Sequence, residues 1–165
     1  MSLLWDYFWP ILTAGAVIGV VSGWIAFRRG RRTLAIVVGS ALAIAAAALW
    51  HGPFGAADRF AGKVERISRE ALDHYEMTAV SAHLHRGPLT RRLILSGPAD
   101  DFQRSELARL FSQVPGVSGA RWAGASAGVP LIAEAMAAAL AAFLAGLLVA
   151  WLIELRRRYN SQWTW

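Results

Sequence analysis

Residues 91–122 read RRLILSGPADDFQRSELARLFSQVPGVSGARW, and their pattern sets the fold of the middle of the chain. Across Arg91–Ser96, Leu93 and Leu95 fall on one face and Ile94 on the other, the period-2 alternation of a half-buried strand. Ser96-Gly97-Pro98 ends that strand with turn residues. Asp100 then stands where a helix N-cap is needed, with Gln103 in the capping-box position three residues on. Leu107, Leu110, Phe111 and Val114 follow the i, i+3, i+4, i+7 spacing of an amphipathic helix, which Pro115-Gly116 stops. Val117–Trp122 returns as a strand.

Upstream, Thr78–His85 alternates Val80, Ala82 and Leu84 against Ala79, Ser81 and His83, and Arg86–Thr90 supplies a turn. Asp58–His74 places Phe60, Val64, Ile67 and Ala71 on one helical face. The expected order is α-β-β-α-β, with two helices on one face of a three-stranded sheet. The expected core is Val64, Ile67, Leu93, Leu95, Leu107, Leu110, Phe111 and Val117.

Long apolar segments flank this polar module. Ile11–Phe27 and Leu34–Trp50 carry no charge, and Val129–Leu155 carries only Glu134 and Glu154. About 17–25 helical residues cross a ~30 Å hydrocarbon core, so three membrane helices are expected. The fold class is therefore an α+β membrane protein with the module between spans two and three. The divisions are 1–33 (first span and Arg loop), 34–50 (second span), 51–57 (linker), 58–123 (module), 124–155 (third span) and 156–165 (basic, aromatic tail). No basic residue precedes the first apolar run, which is expected to stay as an anchor rather than act as a cleaved signal.

The chain has 165 residues, 56% of them hydrophobic, a net charge of +6 and no cysteine. Disulfides, thiolate nucleophiles and cysteine metal sites are excluded. The basic excess is local. Four arginines lie in Arg28–Arg32 and three in Arg156–Arg158, while Asp58–Arg121 holds ten basic and eight acidic residues. That distribution is a topology signal rather than a nucleic-acid footprint, and no nucleic-acid partner is expected. By the positive-inside rule both clusters are cytoplasmic, which puts the N-terminus and the module in the periplasm of a bacterial inner membrane.

The spans carry small-residue faces. Gly15, Gly19 and Gly23 repeat every four residues in the first. Gly39 and Ala43, with Ala35 and Ala47, do so in the second, and Gly146, with Ala138, Ala142 and Ala150, in the third. Such faces let helix backbones approach closely. Two uses are open: packing of the three spans on one another, or docking of a partner subunit or second copy. No span carries a mid-membrane charge, which weighs against transport.

The strand ending Leu93-x-Leu95-Ser96-Gly97, the helix after it and the Val114-Pro115-Gly116-Val117 stretch resemble the BON domain, a small α/β module of bacterial envelope proteins. The likeness covers about Val64–Trp122. It implies a non-catalytic module that contacts phospholipid, envelope surfaces or protein.

Other candidate chemistry is sparse. His83 and His85, with His74 nearby, offer a zinc set, but no carboxylate stands close in sequence, and no metal is expected. Asp100-Asp101 reads as a cap rather than an acid/base pair. Ala47-x-x-x-His51 has the spacing of pigment-ligating antenna helices, but at the end of an alanine-rich span, and no cofactor is expected. Arg86, Arg91 and Arg92 crowd the hairpin turn, either as a solvated strand end or as a contact for anionic lipid or an acidic partner. Trp163 and Trp165 join them as candidate lipid or partner contacts. The expected role is an accessory or scaffold subunit of a larger membrane complex, without enzymatic activity. Its expected partners are membrane lipids and other integral subunits or a second copy. An envelope tether for phospholipid or peptidoglycan is the alternative, with a pigment-protein subunit or transporter component as a third.

Overall fold

The computed structural model describes residues 3–29, 31–122 and 128–161. It is a mixed α+β chain. α1 (Leu3–Arg29) and α2 (Arg32–His51) come first. α3 (Ala56–His74), β1 (Ser81–Arg86), β2 (Leu89–Ser96), α4 (Asp101–Phe111) and β3 (Gly119–Trp122) follow, and α5 (Leu131–Ser161) closes the chain. Three helices, α1, α2 and α5, are long and apolar enough to cross a membrane. The chain divides into two compact units, one of residues 1–7 and 54–134, the other of residues 8–53 and 135–165.

The first unit is the α-β-β-α-β module together with the first turns of α1 and α5. Its sheet runs β1-β2-β3. β1 and β2 are antiparallel, with Leu84 opposite Leu93 and Ala82 opposite Leu95. β2 and β3 are parallel, with Leu93 opposite Ala120. Because side chains alternate across a strand, Leu84, Leu93, Leu95 and Ala120 share one face, and all four are buried. Phe60, Val64, Leu72, Leu107 and Phe111 are buried with them.

Two glycines are required by backbone geometry. Gly97 has φ +136° and Gly116 has φ +98°, values that L side chains rarely adopt. A Cβ on Gly116 would also stand 3.2 Å from the Phe60 ring. The turn after β2 and the stop after α4 are thereby tied to the glycines of the Leu93–Gly97 and Val114–Val117 stretches.

The structure alters several expectations. The buried face of α3 is Phe60, Ala61, Val64, Ser68 and Leu72, whereas Ile67 and Ala71 lie only half-buried at its flank. The buried row steps by four residues and includes a serine, which the apolar pattern passed over. Ser68 Oγ has no hydrogen-bond partner among the described residues; its small size lets the helix lie close to the sheet. Leu110, Val114 and Val117 are half-buried rather than core. β1 starts at Ser81, later than the alternation suggests, and β2 begins earlier, at Leu89. α5 continues through Arg156–Arg158 to Ser161, so the start of the tail is helical. Arginine is a good helix former, and basic residues favour a helix C-terminus.

The second unit holds the apolar helices. Along α1 the buried positions include Ile11, Gly15, Gly19, Ser22, Gly23 and Ala26, and along α5 Ala135, Ala139, Ala142, Phe143, Gly146 and Ala150. α2 buries Gly39, Ala43 and Ala47. Each is a stripe of four-residue period on an otherwise lipophilic helix. Val17, Val37, Leu42 and Leu144, among others, are exposed.

Candidate functional site

Each cluster singled out above has a definite place. The glycine stripe of α1 lies on α5. A Cβ built on Gly15 would stand 2.6 Å from the Ala139 carbonyl oxygen, and one on Gly23 2.6 Å from the Ala150 Cβ. Gly19 faces Gly146: a Cβ on Gly19 would stand 3.1 Å from the Gly146 Cα. Contacts advance in the same direction along both helices, so α1 and α5 run parallel. Gly39 of α2 meets Ser22 and Phe143, and Ala43 is fully buried. Gly15, Gly19, Gly23, Gly39 and Gly146 therefore lie at close helix–helix contacts within this unit.

The basic loop and the basic end of α5 meet at Glu154. Its carboxylate lies 3.9 Å from Arg28, 3.6 Å from Arg157 and 3.1 Å from Arg158. Arg28 also lies over the Trp24 ring at 5.2 Å. Both positive clusters thus occupy one end of the helical unit.

Within the module the hairpin arginines go to separate places. Arg86 donates to Glu65 at 2.8 Å. Arg91 forms a 2.8 Å ion pair with Glu134, in the first turn of α5, with both side chains only about a quarter exposed (23% and 24%). The aliphatic stem of Arg92 lies against Gly128. Arg86 and Arg91 thus pair with different carboxylates, and Arg86 stays exposed. Next to the Arg91 pair, Thr90 is fully buried and bridged to Pro130.

The module also holds the start of α1. Tyr7 is buried, its ring 5.7 Å from that of Phe60, and Asp6 pairs with Lys63 at 3.3 Å. Sequence reasoning missed both long-range ties, Asp6–Lys63 and Arg91–Glu134. Their only signal was a lone charge at each edge of an apolar run.

Glu65 does a second task. One carboxylate oxygen holds Arg86 while the other accepts from the backbone N–H of Leu84 at 3.1 Å. That N–H lies on the edge of β1 away from β2, so the carboxylate occupies a position where another strand would pair. Arg69 donates to the Val80 carbonyl just before the strand.

Asp100 caps α4 as the spacing implies: its side chain accepts from Gln103 N at 2.7 Å, and Gln103 reciprocates at 3.1 Å. On the solvent face of α4, hydrogen bonding to the Glu106 carboxylate raises the Arg109 guanidinium above its already high ordinary value. His74 and His83 are exposed, and His85 Nδ1 lies 3.1 Å from the Pro88 carbonyl oxygen. No cluster of three His, Asp or Glu suited to a metal occurs among the described residues. His51 ends α2. Trp163 and Trp165 lie outside the described residues.

The helical unit also has an apolar groove of about 590 Å³ between α1 and α2, lined by Val17, Val21, Leu34, Val38 and Leu42, with Arg31 at one end. Comparison with protein-family models, with curated proteins and with solved structures found no match for this chain.

Proposed function

We propose that the chain is a non-catalytic subunit of the bacterial inner membrane that presents a small interaction module on the periplasmic surface. One observation carries this reading: the packing of the module includes the first turns of α1 and α5. Tyr7, Asp6 and Glu134 are bound to Phe60, Lys63 and Arg91. Both helices continue as apolar spans. The module is thus tied to the first turns of two apolar helices, which suits a part that scaffolds neighbouring membrane proteins.

The orientation rests on the basic clusters. Arg28, Arg157 and Arg158 gather at one end of the helical unit, and the positive-inside rule assigns that end to the cytoplasm. The module is assigned to the BON type on the Leu93–Gly97 and Val114–Val117 stretches, as a contact surface and not a reaction site.

An envelope tether is the second reading, favoured by the uncovered face of the sheet. There His83, Ile94 and Arg121 form one cross-strand row, with His83 and Arg121 exposed. Mild-detergent extraction with native mass measurement separates the two. A scaffold subunit emerges in a stable assembly with other integral proteins, whereas an isolated chain that binds envelope polymer indicates the tether. Orientation is read by a reporter active only in the cytoplasm. Fused after the last residue it should be active, and inserted at Gly87 it should be silent; the reverse would overturn the topology.

A further inference from the structure

The groove between α1 and α2 is not explained by helix packing. Its floor is Ser22 and Gly39, where the helices touch. Its walls are Val17, Val21, Leu34, Val38 and Leu42, each about half exposed. Close helix–helix contacts favour small residues. In this unit those residues already face inward, on the α1, α2 and α5 stripes. The groove offers branched aliphatic side chains instead, a surface that fits a flexible hydrocarbon chain better than a second backbone.

The mouth of the groove is charged. Arg31 lines it, is exposed, and has no carboxylate within ion-pair distance among the described residues. Arg28, Arg157 and Arg158, by contrast, turn to Glu154. Arg31 is also the residue at the start of α2, whose first turn contains no acidic residue. An apolar channel with an uncompensated cation at its end is complementary to an anionic phospholipid, and basic pockets between membrane helices bind such headgroups.

We infer that this groove holds an anionic phospholipid, one acyl chain lying between α1 and α2 and its phosphate at Arg31. The inference rests on the reading of α1 and α2 as membrane spans and adds a specific lipid site to it. The lipid seals the exposed seam of the hairpin and neutralises Arg31, which forms no ion pair with Glu154.

The full chain is reconstituted into vesicles of equal parts phosphatidylcholine and phosphatidylglycerol, extracted in mild detergent, and its retained lipids are counted by native mass spectrometry. The expected result is one retained phosphatidylglycerol, enriched about fivefold over phosphatidylcholine, the factor supplied by one basic residue near an anionic headgroup. Arg31→Gln, at an exposed site outside the packed stripes, should return the two lipids to parity. Val38→Trp should fill the groove and remove the retained lipid of either kind. Equal retention of both lipids by the native chain would overturn the inference. So would an enrichment that survives Arg31→Gln, or a co-extracted polypeptide that shields Val21 and Val38 in place of lipid. Failure of the chain to enter vesicles at all would sink the membrane reading itself, whereas entry without lipid preference would remove only this site.

Discussion

Alanine in place of Gly19 adds a single methyl group and should destabilise the helical unit, although alanine is the better helix former. A Cβ at this position would stand 2.9 Å from the Phe143 carbonyl carbon and 3.1 Å from the Gly146 Cα. Both neighbours are backbone atoms, so no side-chain rotation relieves the clash. Carbon atoms rest at about 3.5–4.0 Å, so α1 and α5 must separate by roughly 0.5–1 Å, a gap that forfeits a quarter to a half of each contact it touches. Overpacking of this kind costs about 1–3 kcal/mol. The unyielding backbone puts Gly19 near the upper end, and the intrinsic gain of alanine over glycine offsets about 1 kcal/mol. The expected net loss is about 1–2 kcal/mol. Gly62 on α3 is the control: it is exposed, and a Cβ there meets nothing within 4 Å. Gly62→Ala should therefore stabilise by about 0.5–1 kcal/mol. Reversible unfolding of the full chain in mixed micelles, followed by circular dichroism, gives both numbers. A double change, Gly19→Ala with Gly146→Ala, should cost less than the two single losses together, because the first opens the gap the second needs. If Gly19→Ala stabilises the protein as Gly62→Ala does, the close approach of α1 and α5 is wrong.

Other substitutions probe the module. Phe111→Ala removes a ring that is 2% exposed and should cost about 3–5 kcal/mol; an unchanged melt of the full chain would remove Phe111 from the core. Arg91→Gln leaves Glu134 half-buried without its cation. A loss of about 1–3 kcal/mol is expected, with Glu134→Gln in the same background restoring part of it. Glu65→Ala frees both the Leu84 N–H and the Arg86 guanidinium. Lower stability and concentration-dependent association are expected, read by light scattering; a variant that stays monodisperse would argue against the edge-blocking role.

The local features were legible because short-range chemistry sets them. Asp100 and Gln103 are three residues apart, and the capping box needs nothing else. Leu93 and Leu95 reach the core by strand alternation alone. Face selection on α3 was less accessible. Ile67 is the more apolar choice, but the helix turns Ser68 and Leu72 to the sheet, because four-residue steps rather than summed hydrophobicity decide which row lies flat. The arginines show the same limit. Arg86, Arg91 and Arg92 look like one patch in sequence, yet Glu65 and Glu134 lie far from them along the chain and draw two of them apart. The small-residue stripes announced close packing without naming the partner, since a glycine face carries no record of what covers it. The groove could not be read at all: it is a void, defined by the neighbours that side chains lack.

The pairing of α1 with α5 also has a consequence for synthesis. Gly15, Gly19 and Gly23 are made early, but Ala139, Gly146 and Ala150, which cover them, are made about 125 residues later. At about 5–20 residues per second the ribosome takes roughly 6–25 s to reach them. Throughout that interval α1 has its glycine channel open to lipid or to any nearby helix. The order of manufacture therefore gives a membrane insertase or a chaperone helix a window of seconds in which to occupy the seat later taken by α5.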